Sequence, residues 1–177
     1  MNKVQIEQIL QSNGFTDYKW LNPQKDIILA RWVRFQCMFG CNEYGTCGSC
    51  PPAVPPVEEC HKMIREYNNA LILHFSIQSQ TTEEKHKMMA DLLALEREIF
   101  LAGYYKVFLL PHHSCNLCNN CVASDNRLKC INKSKSRPSP DAMGIDVFQT
   151  AREAGYSLEV VADISDMTNR FSFVLID

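Results

Sequence analysis

Apolar positions fall into helical and strand patterns that alternate along the chain. Ile6, Ile9 and Leu10 recur at helical spacing, with Val4 ahead of them, and the pattern stops at Asn13-Gly14. That combination predicts an N-terminal helix with its stop signal. Residues 17–35 hold two short apolar runs split by Asn22-Pro23, read as extended segments around a turn. Pro51-Pro52 and Pro55-Pro56 end regular structure and set a helix start near Val57. Residues 58–67 then place Cys60, Met63, Ile64 and Tyr67 toward one side. The run 70–75, ALILHF, has the length of a buried strand. Thr81 and Glu84 form a capping-box signal that opens a helix to about Ala102. Its apolar stripe is Met88, Met89, Leu92, Leu93, Leu95, Ile99 and Phe100. Gly103 ends it, and 104–110 reads as the next strand. Strand, helix and strand in this order predict a right-handed parallel crossover. A helix near Pro140–Ala154, stopped by Gly155, and strands at 157–162 and 171–177 complete the pattern. The expected fold class is α/β: one domain over residues 1–177, with a small, largely parallel sheet flanked by helices and two cysteine-rich loops at the sheet's end.

Composition narrows the class. The chain has 177 residues, 46% apolar and 21% charged, which fits one globular domain and excludes a disordered or fibrous chain. Lys+Arg 18 against Asp+Glu 20 gives a net charge of −2, so no nucleic-acid partner is expected from charge. No apolar run approaches the roughly 18–20 residues of a membrane span. The start, MNKVQIEQILQSNG, lacks the continuous apolar stretch of a signal peptide, and a cytoplasmic location is expected.

Nine cysteines change the picture. In a reducing cytosol they are not expected to be disulfides, and the odd count leaves one over in any pairing. Cys60 stands alone and reads as a small buried hydrophobe. The other eight form two groups of four. The second is Cys115-x2-Cys118-x2-Cys121, followed by Cys130. Three thiolates at this spacing resemble the bacterial ferredoxin run, whose turns aim sulfurs at corners of a cubane. Zinc sites more often take one C-x2-C pair from each of two hairpins. The fourth cysteine departs from the ferredoxin run, standing nine residues on without a following proline. The first group is Cys37-x3-Cys41-x5-Cys47-x2-Cys50-Pro51. Cys50-Pro51 echoes the Cys-Pro that closes a ferredoxin loop, and Gly40, Gly45 and Gly48 allow sharp turns around sulfur. Tyr44 stands where a radical-SAM motif needs its third cysteine, so that motif is rejected. A closed four-cysteine zinc site also fits this group.

These spacings admit two 4Fe–4S clusters, one per loop; two clusters exchanging a ligand across loops; or one cluster with free thiols. His112 and His113 directly precede the second group and are candidates for a ligand or supporting role. His61, His74 and His86 lie in helix or strand patterns and read as ordinary core or surface residues. Arg127, Lys129, Lys133, Lys135 and Arg137 make a basic stretch. It reads as a solvated loop, as positive charge tuning a cluster, or as a dock for an anionic partner. Asp146 reads as a helix-capping residue or as a group facing a ligand, and Asp141 as a first-turn helix acid.

With both loops and the segment Arg137-Pro138-Ser139-Pro140-Asp141-Ala142-Met143-Gly144-Ile145-Asp146-Val147 in view, the chain resembles a family of bacterial and archaeal predicted metal-binding proteins. The resemblance runs nearly end to end. It includes Val33-Arg34 before Cys37, Tyr44-Gly45, Cys50-Pro51-Pro52 and the second C-x2-C-x2-C. It implies metal binding through both loops, iron–sulfur above all, and an anaerobic setting; it supplies no reaction. The chain differs from the family pattern at His112-His113 and at Ile131-Asn132-Lys133, so no ligand role is carried over to the stretch after Cys130.

The expected function is therefore that of an iron–sulfur protein with one or two 4Fe–4S clusters held by Cys37, Cys41, Cys47, Cys50, Cys115, Cys118, Cys121 and Cys130. Full ligation by protein favours electron transfer, with cluster-dependent redox chemistry on a small substrate as its variant. A redox partner protein or a small-molecule ligand is then expected. The contrasting reading is a zinc-stabilised interaction or regulatory module without redox activity.

Overall fold

The helix signals hold where capping chemistry is local. Asn2 caps α1 (Lys3–Ser12), its side chain accepting from the Gln5 N–H, and Gly14 leaves the helix at φ +80°. In α4 (Thr82–Leu101) the Glu84 N–H donates to the Thr81 hydroxyl and the Thr81 N–H donates back to the Glu84 carboxylate. The computed structural model describes residues 1–77, 80–124, 126–159 and 168–177. Among them no helix is long and apolar enough to cross a membrane.

Four strands form one sheet: β1 (Tyr18–Leu21), β2 (Asn69–Ile77), β3 (Phe108–Leu110) and β4 (Thr168–Ile176), in the order β1-β2-β4-β3. Helices α1 and α4 cover one face, packing Ile6, Leu10, Leu92, Leu95 and Ile99 on Leu71, Leu73, Leu109, Val174 and Ile176. The other face packs Ala70, Ile72, Leu110, Phe173 and Leu175 against α3 (Val57–Arg65) and α5 (Val147–Glu153), through Cys60, Ile64 and Ala151.

The expected parallel sheet is not what forms. Every neighbouring pair is antiparallel. Strands β2 and β3 do run the same way and are joined by α4, but β4 lies between them, a split β-α-β arrangement. Its register sets Phe173 opposite Ile72 and Val174 opposite Leu71, so one strand feeds both cores. A strand buried on both faces reads as a continuous apolar run whichever way its neighbours point, and that is why the run did not reveal direction.

Three further expectations change. The second extended segment before residue 35 becomes helix α2 (Trp32–Gly40), preceded by a single bridge between Leu29 and Ile145. Only Val33 of α2 is buried, whereas Trp32, Phe35, Met38 and Phe39 are exposed, so its apolar residues mark no core-facing stripe. Cys37 thus sits on a helix rather than in a loop. The helix expected from Pro140 starts at Val147, after a 3-10 turn at Asp141–Met143. Gly144 separates the two at φ +76°, where an added Cβ would lie 2.5 Å from a Val57 methyl and 2.6 Å from His61 Nε2. Asp146 caps α5, accepting from the Gln149 N–H at 2.9 Å, as the helix-capping expectation has it, and it also lines a cleft beside Asp141 and Arg170. Residues 157–159 form no strand, and 160–162 lie outside the described residues.

The basic stretch also divides. Arg137 turns inward and makes a two-pronged pair with Glu96 of α4, with N–O distances of 2.9 and 2.8 Å. Glu96 is a buried carboxylate in the middle of an otherwise apolar helix face, and the Leu109 N–H donates to it at 2.8 Å. The pair ties the segment after the second cysteine loop to both α4 and β3.

Candidate metal centre

The first cysteine group runs from α2 into a series of tight turns. Gly45 takes φ +73° and its N–H donates to the Pro51 carbonyl at 3.0 Å, folding the loop back on itself. This brings Cys47 and Cys50 to a sulfur–sulfur distance of 3.3 Å, both buried. The Cys50 thiol donates to Cys47, which pulls the Cys47 thiol well below the usual range and pushes Cys50 well above it. The Ser49 hydroxyl, 3.3 Å from the Cys47 sulfur, and the backbone of Ser49 and Cys115 add to the stabilisation of the Cys47 thiolate. Cys41 and Cys37 lie close enough to raise Cys50 further by like charge. Burial pushes the Cys37 thiol up to about 11, with Asp141 and Cys41 adding to it. All four cysteines of the group therefore share one electrostatic neighbourhood.

The second group leaves the end of β3 through Pro111 and His112, whose N–H donates to the Ser172 hydroxyl at 3.0 Å. The sequence treats the two groups as separate loops; the fold packs them together. The Cys115 backbone comes near the Cys47 sulfur and helps hold that thiol low. Gly48 lies so close to Ala123 that a Cβ there would stand 2.8 Å from the Ala123 Cβ and 2.9 Å from its carbonyl oxygen. A cleft of 990 Å³ opens at this junction, lined by Cys47, Cys115, Cys118 and Cys121 together with His112 and His113. Cys118 accepts from the Asn132 amide at 3.1 Å. Cys130 is half-buried and not among the lining residues. The thiols stand round the cleft: among the described residues no three His, Cys, Asp or Glu side chains close on a position fit for a single ion.

The cleft also carries unmet polar atoms. His112 Nε2, His113 Nε2 and both amide atoms of Asn116 are buried without a hydrogen-bond partner. Leaving such atoms unpaired costs roughly 1–3 kcal/mol each, which an occupant of the cleft relieves. Burial drives the His112 ring down to about 3, with the charges of His113 and Arg170 acting the same way, so it is neutral. Cysteine sulfurs, imidazole nitrogens and unmet amide atoms are the donor set of a soft, sulfur-ligated centre, and these residues fit one.

Cys60 stays apart from both groups. It is fully buried between α3 and the sheet, 3.5 Å from the Pro55 carbonyl and 3.7 Å from an Arg34 nitrogen. Arg34 carried no individual role in the sequence reading, yet it donates to the carbonyls of Ala142 and Pro55 at 2.8 and 2.7 Å. It thereby clamps the exit of the first loop to the turn before α5. Its partners are backbone groups distant in sequence, so the Val33-Arg34 pair of the family resemblance marks the residue but not what it holds. We expect Cys60→Ser to leave metal content unchanged and to lower stability by about 1–2 kcal/mol, since a slightly more polar group replaces a core thiol. Metal analysis beside urea denaturation checks this; loss of metal would place Cys60 among the ligands. His74 is likewise structural, held between Asp17 at 2.6 Å and Asn169 at 2.7 Å.

A family model described as predicted metal-binding protein, DUF2284, matches residues 19–176. That span takes in every strand but the first residue of β1, both cysteine groups and the clefted junction between them. Comparisons with curated proteins and with solved structures return no match.

Proposed function

We propose that the chain, which belongs to the DUF2284 family of predicted metal-binding proteins, is an iron–sulfur protein that transfers electrons through clusters held by its two cysteine groups. The observation that supports this reading is the junction at which the buried Cys47 thiolate meets the second loop, beside a cleft ringed by Cys115, Cys118 and Cys121. A 4Fe–4S cluster at each group would supply one-electron transfer.

The chain's own residues supply the rest. Cys37, Cys41, Cys47 and Cys50 hold one centre, and Cys115, Cys118 and Cys121 contribute to the other, with Cys130 next in chain order. Gly45 and Gly48 let the first loop turn tightly and lie against the second. The packing of the two loops supports the reading, since stepwise electron transfer needs its centres near one another. The reading carries with it a partner, protein or small molecule, that supplies and accepts the electrons.

Anaerobic purification with iron and sulfide analysis tests it. Two cubanes give about eight irons and eight sulfides per chain and a brown protein with broad visible absorption. Half that iron content would remove one cluster. A colourless protein with stoichiometric zinc would overturn the reading and leave a zinc-stabilised module in its place.

A further inference from the structure

His112 and His113 open the second loop, and their rings offer different things to the cleft. His113 Nδ1 lies 2.7 Å from the Ser114 carbonyl oxygen. A carbonyl only accepts, so Nδ1 carries the proton, and in the neutral ring Nε2 keeps a bare lone pair. That nitrogen is buried and has no partner among the described residues. His112 is arranged the other way. Its backbone N–H donates to the Ser172 hydroxyl, which also lies 3.1 Å from its own Nδ1. Ser172 is fully buried and its oxygen already accepts the His112 N–H, so its own hydroxyl proton is left for His112 Nδ1. The His112 ring proton therefore sits on Nε2, and this ring presents a donor.

A ring fixed by an N–H···O=C bond on one nitrogen, with the other left bare, is how metal-ligating histidines are held. His113 lines the same cleft as Cys115, Cys118 and Cys121, which Cys130 does not. We propose that His113 Nε2 is the fourth ligand of the second-loop metal centre, completing a set of three thiolates and one imidazole in place of Cys130. This rests on the reading of the cleft as a metal centre. A neutral imidazole removes one negative charge relative to a thiolate, so the centre has a higher reduction potential than one held by four cysteines. His112, with its Nε2 proton, acts as a hydrogen-bond donor toward the same centre.

The test uses the anaerobically purified full chain labelled with ¹⁵N-histidine. Pulsed EPR of the reduced protein should show a directly coordinated nitrogen that changes with the label, survives His112→Ala and disappears in His113→Ala. The wild-type label experiment stands even if a variant folds poorly. His113→Cys should keep its iron and lower the reduction potential, while Cys130→Ser should change neither. A centre with no histidine nitrogen coupling, together with loss of iron in Cys130→Ser, overturns the proposal and leaves the iron–sulfur reading intact. If the protein instead carries zinc, the iron–sulfur reading fails on metal analysis. X-ray absorption at the zinc edge then decides His113 by the presence or absence of one imidazole.

Discussion

Cys118→Ala is expected to lose the second-loop metal entirely, about half of the iron of a protein carrying about eight. Cys118 is the middle thiolate of the densest group, it lines the cleft, and Asn132 fixes its sulfur at 3.1 Å. The loop around it has few apolar side chains, and Leu128 and Ile131 beyond it are exposed, so little but ligation orders it. Protease sensitivity between residues 111 and 130 should rise with the loss. The first group should keep its metal in this variant, because the first loop lies against the second at Cys47 and Gly48. Cys47→Ala is expected to act more widely, since Cys47 is the residue through which the first loop touches Cys115. Mössbauer spectra of the two variants distinguish these outcomes. Wild-type iron content in Cys118→Ala would end the ferredoxin-like reading of this loop.

Arg137→Ala is expected to destabilise the fold by about 3–5 kcal/mol, the cost of stripping one partner from a buried ion pair. Side-chain exposure is 19% for Arg137 and 8% for Glu96, so water can do little to replace the guanidinium. Among the described residues, the variant leaves the Glu96 carboxylate with the Leu109 N–H as its remaining hydrogen-bond partner. Arg137→Ala with Glu96→Gln should recover part of the loss, because no buried charge is then left over. Urea denaturation of both checks this. A cost below about 1 kcal/mol for Arg137→Ala, typical of an exposed pair, would show the carboxylate reaching solvent.

The sequence reading is most successful where the determining interaction is local. A capping box needs only Thr81 and Glu84, and the helix over Thr82–Leu101 follows. Pro55-Pro56 and Gly103 mark element ends for the same reason. It fails at α2, where Trp32, Phe35 and Phe39 face outward, so that apolar spacing lost its usual meaning. It also fails for Arg137, read with four other basic residues as one stretch. Charge along the chain gives no sign of a buried carboxylate forty-one positions away.

For the candidate site the division is similar. The cysteine spacings by themselves nominated eight ligand candidates and set Cys60 aside, because turn geometry over two to five residues is a local property. The apolar runs at 70–75, 104–110 and 171–177 fall on or beside β2, β3 and β4, whereas the second extended segment before residue 35 is helix and 157–159 form no strand. Strand direction was not determined: β2 and β4 are buried on both faces, and burial alone carries no direction. Only the tertiary structure inserts β4 between β2 and β3 and so brings Ser172 under His112. Only it sets Gly48 on Ala123 and the Cys47 sulfur against Cys115, contacts between segments some seventy residues apart. Each ring nitrogen of His112 and His113 takes its character from a hydrogen bond, and that of His112 reaches a residue on another strand. The candidate ligands of this protein are thus nominated by local spacing, while their surroundings are decided by the long-range partners that the fold puts behind them.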